Sequence, residues 1–338
     1  MSDISDALKQ YKPRNFYSIR DSGIVYLWAI LLPLVVGIVF GYISMFIASN
    51  FGMEFAEGSN IIADLFANYL WFSIPYALLT QIVFVCLYFV FHKVNKISYK
   101  ATTISFKKAN IWTAFLSVLV GIICVLGFIW LIEGCFGAMF DRMGIETSSL
   151  GLPLSNVGWL FLNLLILGVV PAICEEFIFR GIVFKGLREK FSGTASVLLC
   201  GLMFALIHQS ITQFIYPFIL GCLLSFVMEK TNNLLYPILI HMFNNFTTII
   251  ISFLQETGVI TLSFNVAWWG VICAILIAVA TCALLWVIYR FYLKKQQKLE
   301  EERSGQVTQA PPIMVGKLPL TIVCGIICTV ILIVINLL

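Results

Sequence analysis

Residues 174–191 read CEEFIFRGIVFKGLREKF. Glu175, Glu176 and Arg180 follow a run from Thr147 to Cys174 that carries no charge. How far the helix extends past Glu176 decides where these charges lie. A span ending at Glu175 would leave them at the membrane surface, where they cost little. The helical pattern does not end there; it continues through FIFRGIVFKGLREKF to the basic cluster Lys185–Lys190. At 1.5 Å rise per residue, Glu175 then lies about 15 Å from that end, below the surface. A charge at mid-membrane costs roughly 2.5–3.5 kcal/mol even on the lenient insertion scale, so such residues face a bundle interior and act there. Glu176 and Arg180, four apart, share one face and can pair. Glu175 points about 100° away and lacks that partner. Pro171, just before, can bend the helix and free backbone groups.

The rest of the chain sets the same membrane frame. Of 338 residues, 60% are hydrophobic and 11% charged, which no soluble domain resembles. A span needs about 20 apolar residues. Charge-free runs fall at 22–53, 65–91, 109–132, 147–174, 191–228, 231–255, 257–289 and 318–338. The run 191–228 is too long for one crossing and reads as a helical hairpin broken near Gln209–Ser210, with Pro217 following. The reading is therefore all-α: a polytopic membrane helix bundle of about nine transmembrane helices. The ten Cys are scattered through apolar segments without a C-x-x-C pair, so they read as packing residues. The start, MSDISDALKQYKPR, does not read as a cleavable signal peptide.

Alternating the loops across nine spans puts 20 of the 21 Lys and Arg on one side, with Arg142 alone on the other. Cytoplasmic loops carry that excess, so the N-terminus is expected in the cytoplasm and the C-terminus outside, in a multi-pass cell-membrane protein. The basic clusters thus serve topology, and no nucleic-acid partner is expected. The chain divides into a cytoplasmic leader, 1–21, a membrane bundle, 22–293, a charged Ser/Gln/Pro linker, 294–317, and an extra C-terminal helix, 318–338, read as an appendage.

Three histidines remain to be placed. His92 follows a span and precedes Lys93, as an ordinary interfacial residue does. His208, in FALIHQS, and His241, in YPILIHMFNN, lie within apolar runs. Asn245, four after His241, shares its helical face, whereas Asn244 points elsewhere. Counted from the cytoplasmic ends, Glu175, His241 and Asn245 fall at roughly 12–18 Å depth, and His208 at roughly 24 Å along its helix, less after tilt. One cavity can hold all four. A carboxylate with an imidazole takes a proton from water, and an amide with a second imidazole donates to a developing oxyanion. Those parts suit hydrolysis of a peptide bond. The alternative is a metal: Glu175, His208 and His241 are plausible zinc ligands, although no H-E-x-x-H helix is present.

Three motifs then carry a resemblance. E-E-x-x-x-R at Glu175–Arg180, F-x-x-x-H at Phe204–His208 and H-x-x-x-N at His241–Asn245 stand in the order and spacing of the CAAX protease and bacteriocin-processing family, also called the ABI family, which includes the type II CAAX prenyl proteases. GCLLSFVMEKTNNLLYPILIHMFNN, residues 221–245, is similar to the family's approach to that last motif. The likeness covers roughly 155–255. It implies an eight-helix core and an intramembrane endopeptidase without a cofactor, open to the cytoplasmic side. Glu175 would activate water with His208 assisting, His241 and Asn245 would hold the oxyanion, and Glu176, Arg180 and Phe204 would support. Bacterial relatives are linked to bacteriocin immunity and peptide maturation, so the expected partner is a small membrane-associated peptide or protein reaching the site from the bilayer or cytoplasm. Two other classes compete: a transporter, for which no inverted repeat is found, and a catalytically silent binding or immunity protein.

Overall fold

The computed structural model describes residues 14–51, 69–106, 109–131, 152–261 and 318–337, with single positions at 65, 140, 143, 279 and 298. The eighth expected span, 257–289, and the linker, 294–317, fall almost wholly outside the described residues, as does Arg142. The described elements are helices: α1 (Ile19–Asn50), α2 (Leu70–Asn95), α3 (Ile111–Leu131), α4 (Val157–Leu187), α5 (Gly193–Leu206), α6 (Ile215–Thr231), α7 (Leu235–Glu256) and α8 (Leu320–Leu337). A single β-bridge joins Arg14 to Ile97. α1, α2, α4 and α7 are each long and apolar enough to cross a membrane. Their outward faces carry Phe46, 70% exposed, and Phe161, 67% exposed. Large apolar side chains in that position suit hydrocarbon. The chain is a helical membrane protein.

Local chemistry sets the helix ends. Ser18 caps α1 reciprocally with Asp21: Asp21 N–H donates to Ser18 Oγ, and Ser18 N–H to the Asp21 carboxylate at 2.7 Å. Glu189 Oε2 accepts from Ile19 N–H at 2.6 Å, which ties the start of α1 to the end of α4. The expected hairpin is present as α5 and α6, with Gln209 at φ 52° in the break and Pro217 in the first turn of α6. α5 and α6 meet at two glycines: a Cβ on Gly221 would lie 3.0 Å from Gly201 Cα.

α4 is the centre of the bundle. It packs against α1 and α2 on one side and against α7 on the other, while α3 lies along α7. Gly121 of α3 makes that last contact possible, since a Cβ there would lie 2.6 Å from the Ile240 carbonyl oxygen. The largest buried cluster joins α1, α2, α4 and α5, with Phe179, Ile182, Val183 and Phe204 at its heart. The expected appendage, α8, packs against α1, and its Ile322 is fully buried in the same cluster.

Candidate functional site

The site begins in the backbone of α4. The helix runs unbroken past Glu176 to Leu187, as the sequence implies, but with π-helical turns at Leu164–Val169 and Phe179–Val183. Such turns recur at functional sites because they rotate and widen the helix locally. In α-helical register the Leu167 carbonyl would accept from residue 171, which is Pro171 and has no N–H. Asn245 Nδ2 of α7 donates to that carbonyl at 3.2 Å. A proline on one helix thus fixes the amide of another.

The two carboxylates then part. Glu176 Oε1 accepts from Arg180 at 2.7 Å and from His241 Nδ1 at 2.9 Å; the side chains of Glu176 and Arg180 are wholly buried. Arg180 also donates to the Gly221 carbonyl at 3.0 Å and lies 4.4 Å above the Phe204 ring. A buried ion pair is tolerable only with such added hydrogen bonds. Phe204 meets both His208 and His241 edge-on, at 5.2 and 5.7 Å between ring centres. Glu176, Arg180 and Phe204 therefore form one framework behind the histidines.

Glu175 stands outside that framework. Its Oε2 is 3.9 Å from His241 Nε2, and its Oε1 is 3.5 Å from the amide nitrogen of Gln81 on α2. It opens on a cavity of about 440 Å³ walled by α1, α2, Ile207, His208 and Gln209. A second cavity of about 590 Å³ is lined by His208, His241, Asn244, Asn245, Tyr216 and neighbours from α5 to α7. His208 is the wall between the two. Its Nδ1 donates to the Phe204 carbonyl at 2.9 Å, which leaves Nε2 uncommitted.

Every expected site residue is thus found on α4, α7 or the end of α5, divided between two cavities that share His208. Two details differ from expectation. Asn244 does not point away: it accepts from Tyr216, donates to Asn245 Oδ1 at 3.1 Å and lines the second cavity. His92 is not an interfacial side chain but is 1% exposed, bonded to Tyr17 and to the Tyr88 carbonyl. Gln81 was missed altogether, although a lone amide inside the apolar run 65–91 is a signal. As for a metal, no group of three His, Cys, Asp or Glu side chains among the described residues is arranged to hold one. Glu175, His208 and His241 do not form a preassembled ligand set, and no step is derived through an ion.

An all-helical membrane bundle with this site belongs to a recognisable class. Residues 157–247, from the start of α4 to the middle of α7, match the family model described as type II CAAX prenyl endopeptidase Rce1-like. The resemblance read from the three motifs is thereby shown for that segment. The chain is 26% identical to "Putative membrane peptidase YdiL" of Bacillus subtilis (strain 168), over 37% of this chain and 56% of that protein. It is 29% identical to "UPF0177 protein YxdF" of Lactococcus lactis subsp. lactis (strain IL1403), over 22% of this chain and 42% of that protein. The chain spans about half the length of these relatives. No solved structure matches it significantly.

Proposed function

We propose that this chain is an intramembrane endopeptidase that hydrolyses a peptide bond with water activated by Glu175. The observation that carries this is the division of labour between neighbours. Glu176 is held by Arg180 and His241, while Glu175, one residue earlier, faces a cavity and His241 Nε2 without such a clamp. Environment, not residue type, assigns two carboxylates two tasks.

In the proposed reaction Glu175 takes a proton from water as the water oxygen bonds to the scissile carbonyl carbon. His208, through Nε2, helps to hold that water. His241 Nε2–H and the Asn245 amide donate to the carbonyl oxygen as it gains charge. The carboxylate of Glu176 against Nδ1 balances the charge of a doubly protonated His241 ring. As the C–N bond breaks, the proton held by Glu175 passes to the leaving amine. The proposed substrate is a small membrane-associated peptide or protein without a required lipid, entering from the bilayer or the cytoplasmic side. The proposed orientation has the N-terminus in the cytoplasm and the C-terminus outside.

The test uses full-length protein in detergent with a quenched-fluorescence peptide library, comparing wild type with Glu175→Gln. Cleavage by the wild type that falls by 10²–10⁴ in the variant, the usual worth of a general base, supports the mechanism. A variant as fast as the wild type overturns it. No cleavage by either protein, with peptides still bound, favours a silent binding or immunity role. Transport of a solute by the wild type, lost in the variant, favours a transporter.

A further inference from the structure

Gln81 is a polar side chain with no structural task of its own. It lies in the middle of α2, outside the family-matched segment, at a depth where an unpaired amide is costly. It is 9% exposed. Its Nε2 points to Glu175 Oε1 at 3.5 Å, the long end of a hydrogen bond. Its Oε1 is buried without a hydrogen-bond partner among the described residues. So one end of the amide faces Glu175, and nothing anchors the other end.

A base that cycles must be served in two forms. As a carboxylate, Glu175 needs donors; once it has taken a proton, its O–H needs an acceptor. A lysine or arginine can only donate, and an ionised carboxylate can only accept. A primary amide does both, exchanging its NH₂ for its oxygen by a half-turn about its last torsion, and the unanchored Oε1 leaves Gln81 free to make it. The other groups facing Glu175 are less suited. His241, from α7, has Nδ1 committed to Glu176, and His208, past α5, has Nδ1 committed to the Phe204 carbonyl. Each has one ring nitrogen left, and both are needed on the substrate side.

We propose that Gln81 is a positioning residue for Glu175, donating to its carboxylate and accepting from its carboxylic acid within each turnover. This rests on the reading of Glu175 as the base. Contacts of this sort are long in the empty enzyme and tighten when substrate is bound.

The test takes the full-length protein, a peptide cleaved by the wild type, and the variants Gln81→Leu, Gln81→Glu and Gln81→Asn, with Glu175→Gln as reference. In Gln81→Leu, kcat should fall about tenfold, the scale of one hydrogen bond to a charged group, with KM little changed. Gln81→Glu should fall at least as far, because two carboxylates then face each other. Gln81→Asn should keep more activity than Gln81→Leu, because it keeps the amide. A merely structural Gln81 gives the opposite order: in this apolar helix Leu is best tolerated, and kcat per folded molecule does not move. That order, or a wild-type kcat in Gln81→Leu while Glu175→Gln is inactive, overturns the proposal alone. If Glu175→Gln cleaves normally, or the wild type cleaves nothing, the reading of the base fails and this proposal falls with it.

Discussion

Two buried histidines of this bundle are wired differently. At the end of α2, His92 Nδ1 donates to the Tyr88 carbonyl at 2.8 Å, so with the ring neutral Nε2 accepts from the Tyr17 hydroxyl at 2.7 Å. The Tyr17 oxygen then accepts from Thr102 at 2.9 Å, and Thr102 accepts from the Tyr88 hydroxyl at 2.6 Å. Burial pushes the Tyr17 phenol above its usual range, which keeps it a donor. The ring of bonds is closed, and His92 lines neither cavity at the site. In α7, His241 is anchored through Nδ1 alone; Nε2 stops 3.9 Å short of Glu175, beside an open cavity. A histidine with both nitrogens used holds structure. One with a nitrogen left over, next to space, is available to a substrate.

The comparison can be broken at several points. The largest effect is expected from Arg180→Met. It strips Glu176 of its cation inside the bundle, and breaking a buried pair costs about 3–5 kcal/mol. Thermal unfolding in detergent should show a large loss of melting temperature, or no folded protein. The double variant Glu176→Gln with Arg180→Met should recover part of that stability, since no charge is left unpaired. His241→Ala should come next, with kcat down by about 10²–10³, the cost of one oxyanion donor, measured on the peptide that the wild type cleaves. The smallest effect belongs to His92→Phe. Leaving Tyr17 and the Tyr88 carbonyl short of a partner costs about 1–3 kcal/mol, while kcat of the folded fraction stays at the wild-type value. If His92→Phe lowered kcat beyond its loss of folded protein, the two histidines would not differ as described.

Local physics made much of this readable in the chain. The i, i+4 spacing of Glu176 and Arg180 on a helix that does not stop gives their pair directly, and Gln209–Ser210 within an over-long apolar run marks the hairpin break. Asn244 was misread because angular separation from Asn245 was taken as separation from the site. The second cavity curves round α7, and Tyr216 of α6 turns Asn244 into its wall. Gln81 and Glu175 are 94 residues apart, and nothing in a single sequence pairs a particular residue of one span with a particular residue of another. The closed ring around His92 needs Tyr17, from before α1, and Thr102, from after α2, for the same reason.

The π turns of α4 make chain length itself a determinant of this site. Each accommodates one residue more than α-helical register requires. Remove one residue from 164–169 and the turn relaxes to α geometry; everything beyond is then rotated by about 100° against what precedes it. Glu175 would leave its cavity, and Arg180 its carbonyl on Gly221, without any change in the hydrophobicity of the segment. A one-residue gap in this apolar helix would therefore be as damaging as the loss of a charge. Within α4, spacing constrains the sequence as tightly as composition does.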